Sequence, residues 1–131
     1  MDKEDLFNQA LEMKERAYTP YSHFKVGASV LADNGKLYGG CNIEIASYSP
    51  TICAERVAIF KAISDGAKRI EAIAVTGDAK DTMPCGVCRQ VLVEFADPGA
   101  KVYIVNGKDD FKEYTLEEIL PYSFSKSDLG R

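Results

Sequence analysis

The sequence predicts an α/β fold, a three-layer α/β/α sandwich built on a mixed sheet of about five strands. Three observations predict it. A helical apolar repeat comes first, a strand–turn–strand pattern with Asn34-Gly35 at its apex follows, and from residue 52 onward helical and strand patterns alternate. The hairpin supplies antiparallel pairing and the later crossovers supply parallel pairing, with helices covering both faces.

Leu6, Ala10, Met13 and Ala17 recur at helical spacing among charged residues, which predicts an amphipathic helix over residues 3–17, stopped by Pro20. Val26 to Ala32 and Leu37 to Cys41 read as strands, because the Asn-Gly between them tolerates positive φ. After an irregular segment over residues 42–51, Ile52, Val57, Phe60 and Ile63 mark a second helix, ended by Gly66. Ile70 to Val75 reads as a buried strand. Pro84 is placed as the first residue of a third helix, with Val87, Val91, Leu92 and Phe95 inward and Asp97-Pro98-Gly99 ending it. Val102 to Val105 and Phe111 to Tyr114 complete the strands, Leu116 to Leu120 gives one or two helical turns before Pro121, and a polar tail remains. Without repeats, linkers or low-complexity stretches, residues 1–131 form a single domain with one core.

Composition narrows the function. With 46% apolar and 27% charged residues the chain has the make-up of a globular domain. A formal charge of −4 offers no broad positive field for a phosphate backbone, so a nucleic acid polymer is not expected as a partner. No apolar run approaches the ~20 residues that span a bilayer, and the opening residues lack a signal-peptide pattern, so a cytoplasmic protein is expected. In a reducing compartment Cys41, Cys53, Cys85 and Cys88 are better suited to metal binding or catalysis than to disulfides. The single histidine, His23, lies in a polar stretch beside Tyr21 and Ser22 and is read as a solvated side chain.

Cys85 and Cys88 stand three apart at a predicted helix start, which turns both sulfurs to one face and lets the helix N-terminus favour their thiolates. Cys53 holds the equivalent place before the second helix. Three thiolates converging from two helix starts make a zinc site with an open fourth position, the arrangement catalytic zinc requires. Glu55, two residues beyond Cys53, is near enough to serve as proton carrier for a water made acidic there, since zinc lowers the pKa of water from ~16 to about 7. Three thiolates on a dication leave one net negative charge, and Arg56 and Arg89 are placed to offset it by hydrogen bonding to sulfur, Arg56 the better of the two.

The pattern Cys53-Ala54-Glu55-Arg56 with Pro84-Cys85-Gly86-Val87-Cys88-Arg89-Gln90 resembles the zinc nucleobase deaminase signature, in the wording of the small tetrameric cytidine deaminases of nucleoside salvage. The resemblance extends through residues 21–28, Gly40-Cys41-Asn42-Ile43-Glu44 and Leu120-Pro121-Tyr122-Ser123-Phe124. It implies that Asn42 and Glu44 bind the ribose hydroxyls and that Phe24 packs on the base, while the backbones of Ala54 and Met83 read the pyrimidine edge. It further implies a homotetramer in which Phe124 reaches a neighbouring site and Tyr48 lies near the subunit boundary, with one Zn2+ per chain. Two positions depart from the family: Ile45 replaces a usual asparagine, and Met83 a small hydroxyl residue.

Plainer readings exist for each feature. Cys85 and Cys88 alone would suit a redox pair, but such a pair has no use for Cys53, Glu55 and Arg56. Cys41 would close the coordination sphere if it were a fourth ligand, although a buried free thiol packed as a small hydrophobe is its simpler state. Asn42 and Glu44 would otherwise be turn residues, and Phe24 and Phe124 core or interface aromatics. The sequence therefore predicts hydrolytic deamination of cytidine and 2′-deoxycytidine. A modified cytidine or a cytosine-bearing antibiotic such as blasticidin is the alternative substrate, and a catalytically silent zinc-binding module the alternative role.

Overall fold

The computed structural model describes residues 3–130. In chain order the elements are α1 (Lys3–Lys14), β1 (Val26–Ala32), β2 (Leu37–Cys41), α2 (Ala54–Ser64), β3 (Ile70–Gly77), α3 (Gly86–Phe95), β4 (Lys101–Gly107), β5 (Asp110–Thr115) and α4 (Leu116–Ile119), with a closing 3-10 turn over Lys126–Leu129. The strands form one sheet in the order β2-β1-β3-β4-β5. Among the five strands of the described residues only β3 and β4 pair in parallel, so the sheet is mixed, as expected.

Strand alternation assigns the two faces. Ala28, Val30, Ile73, Val75, Val102 and Ile104 bury against α2 and α3, while Ala74, Tyr103 and Val105 bury against Leu6, Phe7 and Ala10 of α1. Helices thus cover both faces, and the two apolar clusters share one sheet. Two glycines let the layers approach closely: a Cβ at Gly27 would fall 2.2 Å from the Ala10 carbonyl oxygen, and one at Gly40 2.4 Å from that of Ala54. Gly35, at φ +81°, makes the hairpin turn.

Several boundaries differ from the expectation. α1 ends at Lys14 rather than at residue 17, because residues 15–17 tighten into i→i−3 bonds and Tyr18 then pairs with Ile43 in a strand-like bridge. The stretch after β2 is less irregular than its sequence suggests: Ile43 also exchanges backbone hydrogen bonds with Ile52, 3.0 and 3.1 Å long. Pro84 lies outside α3. Cys85 is the N-cap instead, in extended conformation, its sulfur accepting from the Cys88 N–H. The polar tail carries the 3-10 turn because Ser125 and Asp128 form a capping box.

The register brings the site together at one end of the sheet. Val26 at the start of β1 lies opposite Gly77 at the end of β3, and Gly27 opposite Cys41 at the end of β2. Residues just before β1, just after β2 and just after β3 therefore emerge side by side. The starts of α2 and α3 follow these last two segments.

Candidate active site

Cys53 caps α2 and Cys85 caps α3. The Cys53 and Cys85 sulfurs are 3.7 Å apart and those of Cys85 and Cys88 3.4 Å. The three Sγ atoms lie within 4.8 Å of one another. A tetrahedral zinc with Zn–S near 2.3 Å needs sulfurs about 3.8 Å apart, so the three positions fit one zinc ion and leave its fourth corner free of thiolate. Cys41 does not join them: it is buried, and its sulfur donates to the Arg16 carbonyl at 3.4 Å. Among the described residues, Cys53, Cys85 and Cys88 are the group that suits a metal.

The charges around the sulfurs are unequal. Hydrogen bonding from Cys88, then from the Arg56 guanidinium, brings the Cys53 thiol down to about 5. Cys88 holds its proton more tightly, pushed up by that same hydrogen bond and by burial. Arg56 Nη2 donates to the Cys53 sulfur at 3.3 Å, the sulfur contact expected of it. Arg89 makes none: its Nε donates to the Pro84 carbonyl at 2.9 Å and its Nη1 to the Ile119 carbonyl at 2.7 Å. It ties the turn before α3 to the end of α4.

Glu55 is 3% exposed. Burial, reinforced by the nearby Cys53 sulfur, raises its carboxyl to about 7. A cavity of about 190 Å³ opens over it, lined by Phe24, Val26, Asn42, Cys53, Ala54, Glu55, Thr82, Met83 and Cys85. Six of these, Cys53, Cys85, Glu55, Phe24, Asn42 and Met83, come from segments far apart in sequence, and Ala54 lies between two of them. Val26 and Thr82 carry no sequence signal of a wall role. They line the cavity only because β1 begins and β3 ends there. A larger cavity of about 350 Å³ between α3, α4 and the last residues contains none of the cysteines.

Three expected residues sit elsewhere. Tyr48 and Phe124 are 72% and 60% exposed and do not line this cavity. Glu44 is buried beside it, with its carboxylate taking the backbone N–H groups of Tyr21 and Ser22 at 3.1 and 3.0 Å and the Ser22 hydroxyl. The Asn42 amide clasps the strand start beside it, accepting from the Val26 N–H at 2.9 Å and donating to the Phe24 carbonyl at 2.9 Å. His23 points to no ligand set. It turns the loop at φ +58°.

A sequence model of the cytidine and deoxycytidylate deaminase zinc-binding region matches residues 1–105. The chain belongs to that family. It is 49% identical to the cytidine deaminase of Sporosarcina psychrophila, over 99% of this chain and 96% of that one. The cytidine deaminase of Halalkalibacterium halodurans is 46% identical, with 99% of both chains covered. Among solved structures, the Burkholderia pseudomallei cytidine deaminase superposes with a TM-score of 0.88 at 40% identity, covering 95% of this chain and all of the other. Membership supplies the metal that the sulfur geometry fits, since the matched region is the zinc-binding one. The family zinc would be held by Cys53, Cys85 and Cys88.

Proposed function

We propose that this chain hydrolyses cytidine and 2′-deoxycytidine to uridine and 2′-deoxyuridine, releasing ammonia. The observation that carries the reading is a buried carboxyl, Glu55, raised to about 7 beside a three-thiolate zinc site in a cavity the size of a ring rather than a groove for a polymer. Bound by those thiolates, zinc supplies the Lewis acidity that brings the pKa of water near neutrality. Glu55, with a pKa close to neutral pH, accepts a proton from the attacking water and passes it on to the departing amine. The C–O bond forms at the ring carbon that bears the amine, the C–N bond breaks, and the two protons of water end on ammonia and on the ring nitrogen.

The remaining residues bind and orient. Phe24 offers its face to the base, and the Ala54 and Met83 backbones stand at the pyrimidine edge of the cavity. Asn42 and Glu44 take the sugar hydroxyls. Arg56 spreads the negative charge of the Cys53 sulfur, and Arg89 steadies the Cys85 turn. Ile45 does not line the cavity, and its N–H is held by the Thr51 hydroxyl, so the departure at this position leaves the cavity wall to the residues named above.

The proposed assembly is a homotetramer with shared sites, and the exposed Tyr48, Tyr122 and Phe124 are aromatic surface that association between copies would cover. Three cysteines read as metal thiolates and Cys41 as a buried thiol suit the reducing cytoplasm. No helix among the described residues is long and apolar enough to cross a membrane.

The test is Glu55→Gln, assayed by loss of ultraviolet absorbance and release of ammonia from cytidine. The expected result is one zinc per chain retained and turnover lowered by about 10³-fold or more. Turnover near wild type in Glu55→Gln would remove the carboxyl from the reaction, and a wild type inert on every cytosine nucleoside would leave a zinc-binding module. Native mass spectrometry reads the tetramer directly.

A further inference from the structure

Ser22 lies in the loop between α1 and β1, outside the cavity wall, yet it joins two residues that the reaction needs. Its hydroxyl donates to Glu44 Oε2 and accepts the Phe24 N–H at 3.0 Å. Its own N–H, with that of Tyr21, donates to Glu44 Oε1. The His23 N–H donates to the Thr19 carbonyl at 3.0 Å and closes the turn. Phe24 is thereby gripped at both backbone groups, its N–H by Ser22 and its carbonyl by Asn42.

The carboxylate of Glu44 has about four acceptor positions. Two backbone N–H groups take both on Oε1, and the Ser22 hydroxyl takes one on Oε2. One position on Oε2 is left for a sugar hydroxyl, beside the Ser22 bond. A hydroxyl that donates to a charged oxygen also becomes a better acceptor, so the Ser22 bond to Glu44 and its bond from Phe24 strengthen each other.

We propose that Ser22 is a positioning residue that couples sugar recognition at Glu44 to the placement of Phe24 against the base, through the hydroxyl that bridges the Glu44 carboxylate and the Phe24 N–H. The proposal rests on the cytidine-deaminating reading above. Ser22 touches no reacting atom. Its removal frees the Glu44 carboxylate to rotate and frees the Phe24 backbone at one end, two losses with different substrate signatures. Loss of Phe24 placement weakens any cytosine nucleoside, while loss of Glu44 orientation weakens only a nucleoside that carries the sugar hydroxyls.

The experiment compares wild type and Ser22→Ala on cytidine and on 2′,3′-dideoxycytidine, with enzyme concentration raised until both slopes are measurable. The expected kcat/KM on cytidine falls at least tenfold, carried by KM, because a hydrogen bond to a charged group is lost. On the dideoxy substrate it falls about threefold. Equal falls on both substrates overturn the coupling, as does a fall on one substrate with none on the other, or no fall at all. Ser22→Ala stays folded at the assay temperature, with at most a modest fall in Tm, and keeps wild-type zinc content, which separates positioning from a folding defect. Inactivity of the wild type on cytidine overturns the functional reading instead, and is seen before any variant is made.

Discussion

Gly40 passes beneath the first turn of α2, the turn that carries the proposed metal ligand Cys53 and the carboxyl of Glu55. A methyl group at this position would stand 2.4 Å from the Ala54 carbonyl oxygen and 2.6 Å from the Ala58 nitrogen. Ordinary contact begins at 3.4 Å, so α2 must retreat by about 1 Å, the difference between 3.4 and 2.4 Å. Both obstructing atoms are backbone, and no side-chain rotation relieves them. A displacement of that size at a reacting centre costs on the order of 100-fold in rate, or about 2.7 kcal/mol of transition-state stabilisation. Gly40→Ala should therefore lower kcat/KM on cytidine about 100-fold, with a stability loss of about 1–3 kcal/mol from overpacking. Initial rates by ultraviolet absorbance, measured beside thermal unfolding and zinc content, separate the two effects. Gly99→Ala is the control, since a Cβ there meets nothing within 4 Å. A folded Gly40→Ala with wild-type turnover would refute the reasoning, for it would show that the closeness of β2 to α2 does not set the position of Glu55.

The coordination set and the Glu44 contacts each give a further expectation. Cys41→Ala should keep one zinc per chain and near-normal turnover, because its sulfur bonds the Arg16 carbonyl and stands outside the metal group, whereas Cys85→Ala should lose both. Zinc content by mass spectrometry decides it, and zinc lost from Cys41→Ala would reveal a closed four-sulfur site. Hydrogen bonding from the Ser22 hydroxyl, then from the Ser22 and Tyr21 N–H groups, holds Glu44 below the usual carboxylate range. Its folded pKa is the lower one, so its stabilisation is full above the unfolded value of about 4.3 and is lost as pH falls through the folded value. The Tm difference between wild type and Glu44→Gln should stay constant from pH 7 to about 5 and close below about 4; a gap still fully open in strong acid would show that the charge of Glu44 does not contribute.

The Cys85–Cys88 half of the sulfur cluster was legible because it is local, whereas Cys53 joins it from 32 residues away. Two cysteines three apart at a helix start turn toward one face, and the N-cap bond from the Cys88 N–H to the Cys85 sulfur holds the two sulfurs 3.4 Å apart. The roles of Asn42 and Glu44 inside the chain were not legible, since their partners Val26, Phe24 and Ser22 lie 16 to 22 residues away and leave no periodic trace. The end of α1 misled for a related reason: Ala17 continues the apolar repeat, yet Tyr18 pairs with Ile43, a non-local bond that outweighs a helical turn. The 3-10 turn near the end had a local signal, Ser125 three residues before Asp128, hidden in a segment read by its polarity.

What sets the acid–base behaviour of Glu55 is burial first, and after it the negative charge of the neighbouring Cys53 sulfur. Helix N-termini and Arg56 draw negative charge onto sulfur, each by a small amount, about 0.3–1 kcal/mol for a helix end. The Cys53 sulfur in turn repels the charged form of Glu55, and burial at 3% exposure does the larger part of that work. The same packing that brings α2 against Gly40 thus removes Glu55 from water and sets it beside a thiolate. A solvated carboxylate at that sequence position would titrate near pH 4 and return a proton poorly at neutral pH. Close packing of sheet on helix is in this sense a condition of the proposed proton transfer, which is why a single methyl group under α2 is expected to act on rate beyond its effect on stability.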